Sequence, residues 1–299
     1  MTSADDLLAE AEARSSGIWG RRSGIALDAV ALDEDVYRHA LETFIDRGDA
    51  ERAARLVAAL RDSWWARGQF AEGQDWMSRI LALPTLPPAS RARVLDHAGA
   101  LAFAQGQYGR ARPFFEASLE LRRSGGSTQE QALALNHLAA AVRWGSADST
   151  AAAPLYQESL ALARQAGDRL LVAAALMPLG TLALDRGALA EARQLLRDGL
   201  QGCIEAGVET ALPLALEQFA ALAAASGQAE RALRLSGAGA AWRRRLATYP
   251  TPYTAWVKRY LSAARRALPR VQAEAARQAG EAMSLEEAVA SALEDEAGP

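Results

Sequence analysis

Residues 66–83 read ARGQFAEGQDWMSRILAL, and residues 104–121 read AQGQYGRARPFFEASLEL. The two stretches share a glycine, a small residue five places later, and large apolar residues eight and thirteen places later. Three more stretches fit the same frame: ADSTAAAPLYQESLAL, DRGALAEARQLLRDGL and ASGQAERALRLSGAGA. Their anchors fall at Gly68, Gly106, Ala147, Gly187 and Gly227, spaced by 38, 41, 40 and 40 residues. A fixed period of this size is the signature of a repeat architecture.

Each column of the alignment has a physical meaning. A glycine between two apolar-periodic runs lets the backbone take positive φ and reverse direction. Five places on stand Gly73, Ala111, Ala152, Ala192 and Ala232, all small enough for a close helix crossing. At +8 stand Trp76, Phe114, Leu155, Leu195 and Leu235, and at +13 Leu81, Leu119, Leu160, Leu200 and Ala240. Seven places before the anchor stand Arg61, Gly99, Ala140, Gly180 and Ala220. Turn-like stretches separate successive pairs (LPTLPPAS, RRSGGSTQ, ARQAGDR and IEAGVET), and Ser127-x-x-Glu130 reads as a capping box. The period holds two helices of roughly 17 residues, each about 25 Å long. No alternating strand pattern of any length is present. The expected fold is all-α: a right-handed superhelical solenoid of antiparallel helix pairs.

Bulk properties narrow the rest. One cysteine, Cys203, excludes an internal disulfide and fits a reducing cytoplasm. The N-terminus MTSADDLLAEAEAR is acidic without an apolar signal core, and no run approaches ~18 apolar residues, so no membrane partner is expected. Charge is uneven. Residues 1–51 carry twelve acids against five arginines, residues 231–277 carry ten arginines and Lys258 against Glu274, and residues 278–299 carry six acids and no base. Lys258 is the only lysine, so a GxxxxGK[ST] phosphate loop is impossible.

Gly99…Gly106-Gln-Tyr108…Ala111…Phe115…Leu119 resembles the tetratricopeptide repeat, in a version longer than the usual 34 residues. The long-helix form is similar to the C-terminal sensor and scaffold region of large ATP-dependent LuxR-type, maltose-activator-like bacterial regulators. Asp35-Val-Tyr-Arg-His-Ala-Leu-Glu…Arg47-Gly48-Asp49 and Trp65-Ala-Arg-Gly68…Glu72-Gly73…Trp76 carry that likeness at one end. Ala-Gly-Glu-Ala-Met283-Ser-Leu-Glu-Glu-Ala-Val-Ala carries it at the other, and roughly residues 35–290 are covered. The ATPase module and helix-turn-helix of those regulators have no counterpart here, so ATP hydrolysis and transcriptional activation do not carry over. The expected layout is an N-terminal helix and flexible segment over 1–34, repeats over 35–246, and a helical cap with a basic segment and acidic tail over 247–299. The initiating methionine and the caps near both ends suggest a whole protein.

The resemblance implies that the first helix of each pair lines a concave groove. Placing that family's groove positions by spacing gives Trp65, Phe103 and Trp144 in one row, and Asp96, His137, Met177 and Glu217 in another, with Arg93, Asp62 and Thr181 beside them. Aromatics with a few convergent polar groups suit a protein segment, a peptide or a small effector. Aromatics at helical spacing also fit a core, and spacing alone leaves this row both places. Trp64, Trp76, Phe114, Phe115 and Tyr156 are read as packing.

Three histidines without HxxxH spacing, a single cysteine and no nucleophile motif point to no catalytic residues, no metal and no cofactor. Arg243, Arg244, Arg245, Lys258, Arg259, Arg265 and Arg266 form a candidate basic surface interleaved with Trp242, Tyr249, Tyr253, Trp256 and Tyr260. That pattern suits phosphate contact with base stacking, or aromatics inside and arginines outside. The resulting expectation is a non-enzymatic binding scaffold in bacterial regulation. A nucleic-acid-associated protein and a structural homo-oligomer are the alternatives.

Overall fold

The structure, a computed structural model, describes residues 3–15, 34–146, 149–246 and 252–294. Among the described residues there are fifteen α-helices and no strand. They form two compact units, Met1–Ala166 and Gly167–Pro299. The first holds α1 (Ala4–Ser15), α2 (Glu34–Asp46), α3 (Ala50–Arg67), α4 (Phe70–Leu81), α5 (Pro88–Ala104), α6 (Tyr108–Gly125), α7 (Thr128–Gly145) and α8 (Ala153–Ala166). The second holds α9 (Arg169–Asp185), α10 (Leu189–Glu205), α11 (Leu212–Ala225), α12 (Ala229–Arg245), α13 (Pro252–Ala267), α14 (Arg270–Glu281) and α15 (Leu285–Leu293).

The anchors mark the turns inside helix pairs. Gly68, Gly106, Gly187 and Gly227 have φ between 69° and 78°, while Ala147 lies outside the described residues. At Gly187 nothing stands within 4 Å of where a Cβ would be, so the demand for glycine there is purely conformational. Gly187→Ala is therefore expected to cost about 1 kcal/mol, and Gly187→Asn less, because asparagine tolerates left-handed backbone better. Urea unfolding followed by circular dichroism checks the order.

Other glycines are dictated by packing. A Cβ on Gly99 would lie 2.6 Å from Cε1 of Phe115, so α5 and α6 cross where α5 has no side chain. In the first four repeats the position one residue beyond the +8 column is buried, while at +8 itself Trp76 and Leu235 are buried as well. Met77, Phe115, Tyr156 and Leu196 are buried, whereas Phe114, Leu155 and Leu195 are half-buried. Ala111, Phe115 and Leu119 stand four residues apart and so share one helical face. Trp64 and Trp76 are buried as read from the sequence.

Caps follow the expected chemistry. The Ser127 hydroxyl accepts from the Glu130 amide, and the Ser127 amide donates to Glu130 Oε2 at 2.9 Å. At α9 the Asp168 carboxylate accepts from the Leu171 amide at 3.0 Å. Pro88 opens α5 at a first-turn position where its missing N–H has no helical partner to lose. At the start of the chain, Leu7, Leu8 and Ala11 of α1 are buried in the core shared with α2 and α3.

The described part of the C-terminal segment, residues 252–294, packs on α11 and α12 within the second unit. There α12 and α14 approach closely. A Cβ on Gly237 would run into the Arg277 carbonyl oxygen, and one on Gly280 into that of Arg234. Helix α15 ends against arginines. Arg197 donates to Leu293 O at 3.0 Å, and Arg231 donates to Ser291 O and Glu294 O, both at 2.9 Å. These are carbonyls that no further turn of helix can satisfy, and cations at a helix C-terminus also suit its dipole.

Candidate partner-binding face

In the first unit the first helices of the pairs are α3, α5 and α7. Trp65 and Asp62 stand on α3, but their side chains lie outside what the structure describes. Phe103 on α5 is half-buried, its ring edge against Tyr108 with centroids 5.0 Å apart. Trp144 on α7 is also half-buried, with the Arg143 guanidinium 4.9 Å from its ring centre. Three aromatics of the second helices differ: Trp76, Phe115 and Tyr156 are no more than 5% exposed. Phe103 and Trp144 thus keep accessible area that these three and Trp64 on α3 have lost, as do Phe70, Tyr108 and Phe114 on the second helices. Arg93 is exposed and donates to Ser90 Oγ at 3.0 Å, with Glu51 at 3.7 Å.

Behind this face lies a buried polar cluster. Asp96 (α5) is paired with Arg122 (α6), and each side chain is only 6% exposed. Arg122 also donates to Ser118 Oγ at 3.1 Å and stands 3.3 Å from Glu130. His137 (α7) packs its ring on Phe115 and brings Nδ1 to 4.0 Å from Asp96 Oδ1. Burial alone would push the Asp96 carboxyl up. His137, the Arg122 charge and Ser118 outweigh it and hold the group below the ordinary carboxylate range. Asp96 is thus a structural ion-pair member behind the face rather than a group presented by it, while His137 remains 35% exposed.

Two partners in this region were not singled out from the sequence. Arg122 was detectable in principle, because it stands seven residues from Phe115 and therefore on the same buried face. His97 Nδ1 lies 3.3 Å from an Arg61 guanidinium nitrogen. Burial, and then the Arg61 charge, push this imidazole well below its usual value.

In the second unit the expected lining residues are core. Thr181 is fully buried and donates to Pro178 O at 2.8 Å. Met177 is buried against Gly199, whose Cβ position would be 2.7 Å from its sulfur. Glu217 is buried and paired with Arg243. The reason is that α9 and α11 are apolar around most of their circumference, with Ala175 through Leu184 all buried. Such helices have no solvent face on which a groove row could appear.

The basic surface is also smaller than its sequence suggests. Arg243 is largely buried with Glu217, Arg244 pairs with Glu281 at 3.0 Å, and the Arg245 guanidinium stands 4.7 Å from the Trp242 ring centre. Arg259, the Trp256 indole N–H and the Tyr260 hydroxyl all donate to Asp185 Oδ1, at 2.9, 2.8 and 2.9 Å. Trp256 is buried, meeting Tyr253 edge-to-face and Tyr260 at a tilt, so it offers no face to a nucleotide base. Tyr249 lies outside the described residues. Lys258, Arg265 and Arg266 are exposed.

No three His, Cys, Asp or Glu side chains converge in a metal-ligand arrangement among the described residues. Burial pushes the Cys203 thiol up to about 11, which removes thiolate character at neutral pH. No described helix is long and apolar enough to cross a membrane.

With the pairs, turns and faces in place, comparison with known proteins is informative. Residues 90–165 match the family described as tetratricopeptide repeat. Over that span the chain resembles tetratricopeptide repeats. The crystal structure of BtubC (BKLC) from P. vanneervenii is similar, with a TM-score of 0.52 and 18% identity over 71% of this chain and 95% of that one. At that identity the likeness concerns the helical-repeat fold. No curated protein sequence matches the chain. Tetratricopeptide-like repeats are interaction scaffolds, and the matched region contains Arg93, Phe103 and Trp144.

Proposed function

We propose that the protein is a non-enzymatic scaffold holding a segment of a partner protein against the first-helix face of its first unit. The observation that carries this reading is that Phe103 and Trp144, in one row on successive first helices, keep accessible area while the core aromatics Trp64, Trp76, Phe115 and Tyr156 do not. Aromatic side chains supply large contact area with few rotamers to freeze, and they anchor many interfaces. Arg93 and His137 would orient the segment, and Trp65, in register by spacing, would extend the row. The likeness of residues 35–49, 65–76 and 279–290 to the large LuxR-type regulators supports a role in cytoplasmic bacterial regulation.

The test compares partner capture by wild type with capture by Phe103→Ala/Trp144→Ala. Truncating two anchors of a real interface is expected to weaken binding by about thirtyfold or more. The melting temperature of the variant should stay within a few degrees of wild type, because neither ring is core. Equal capture by both folded proteins would assign the two rings to packing and refute the reading.

A further inference from the structure

Many basic residues of the second unit are held by internal partners. Arg243 meets Glu217, Arg244 meets Glu281, Arg277 meets Glu274 and Glu281, and Arg259 meets Asp185. Arg197 and Arg231 hold the end of α15. Against that background α13 stands out. Its sixteen residues, PYTAWVKRYLSAARRA, contain no acid. Its inner face is fully committed through Trp256, Val257, Leu261 and Ala264, with Tyr260 tied to Asp185. Its outer face presents Lys258, Arg265 and Arg266 to solvent, none with an acidic partner among the described residues, and Arg259 is 66% exposed even while it reaches Asp185.

These cations form a row. Residues 258 and 265 are two turns apart on one face, about 10 Å along the axis, with 259 and 266 beside them. Arg265 and Arg266 lie in the last turn and suit the helix dipole, but Lys258 is mid-helix and gains nothing from it.

We infer that this outer face of α13 is a second docking surface, and that its partner is an acidic protein segment. A nucleic acid fits less well. Trp256 is buried, the Tyr260 hydroxyl is tied to Asp185, the cations lie on the exposed face of a single helix, and the whole chain carries net charge −3. An acidic helix with carboxylates two turns apart matches the two-turn spacing of the cations. The chain itself shows acids two turns apart on one helix each meeting a cation of a neighbouring helix: Asp5 and Glu12 of α1 pair with Arg52 and Arg55 of α3, three residues apart, at 3.0 and 2.7 Å. The surface is independent of the first-helix face in the other unit.

The experiment uses the full chain and three fluorescent probes: an acidic helical peptide with glutamates at seven-residue spacing, its glutamine counterpart, and a 20-nucleotide single strand. Three variants are compared with wild type. Lys258→Glu/Arg265→Glu/Arg266→Glu reverses the row, and Arg47→Glu/Arg110→Glu/Arg164→Glu makes the same charge change at exposed sites of the first unit. All six side chains are exposed, so both triple variants should keep wild-type circular dichroism. Lys258→Arg tests charge conservation. Wild type and Lys258→Arg should bind the acidic peptide at least tenfold tighter than the glutamine peptide and the single strand. The α13 triple variant should lose at least tenfold, and the control less than threefold. Equal losses in both triple variants, no preference for the acidic peptide, or tighter binding of the single strand would each overturn the inference.

Discussion

Arg122→Leu is expected to destabilise the first unit by about 3–5 kcal/mol, one of the two largest effects of any single substitution considered. Arg122 and Asp96 are paired out of water, and removing one partner leaves the other buried without its principal counter-charge. At about 2–4 °C per kcal/mol for a unit of this size, the melting temperature should fall by roughly 6–20 °C. Asp96→Leu alone should also be damaging, because it leaves the buried guanidinium only the half-exposed Glu130 at 3.3 Å. The double variant Asp96→Leu/Arg122→Leu should recover most of the loss, since two apolar side chains can replace a buried pair at little net cost. If the double variant is as unstable as either single one, shape rather than charge governs the site.

The pair also has a pH signature. Asp96 is held ionised below the ordinary carboxylate range, so its contribution is present above the unfolded value near 4 and lost as pH falls through the lower folded value. The stability gap between wild type and Arg122→Leu should therefore narrow in acid, below about pH 4. Chemical denaturation at pH 7 and pH 3 measures the gap directly.

The second large effect concerns the crossing of α12 and α14. Gly280→Leu is expected to cost at least about 3 kcal/mol, the upper part of the range for overpacking. At Gly99 the obstructing atoms belong to an aromatic side chain, whereas at Gly280 they belong to the Arg234 backbone, which no rotamer change can move. Even Gly280→Ala should destabilise, although alanine is the better helix former by about 1 kcal/mol, because its Cβ meets the same carbonyl. Gly109→Ala, on a helix position with open space around it, is the control and should be neutral or stabilising. A Gly280→Ala protein as stable as wild type would mean that the helices separate freely, and that α14 is only loosely attached.

What could be read from the sequence is what is decided locally. The turn at Gly106 was legible because left-handed backbone is a property of one residue, and the Ser127 cap because its partners lie three residues apart. The buried stripe was legible to within one position. A 3.6-residue period spreads a face over neighbouring columns, so Phe114 and Leu155 looked as apolar as Phe115 and Tyr156. The candidate site was less legible. Phe103 and Trp144 are half-buried, whereas Thr181, Met177 and Glu217 follow the same spacing into the core. Nothing in a column position reveals that α9 is covered around most of its circumference. Nor does it reveal that Asp96 is neutralised from 26 residues away.

The arginine clamp on α15 bears on how the second unit matures during synthesis. Most contacts in a stack of helix pairs join neighbours, so such a stack can settle progressively as the ribosome extends it. Arg231 and Arg197 must wait for carbonyls made 60 and 96 residues later. Until then two guanidinium groups of the nascent unit lack the acceptors that the finished fold provides. The last helix thus closes the unit like a clasp, making its completion a late, non-local step in an otherwise local assembly.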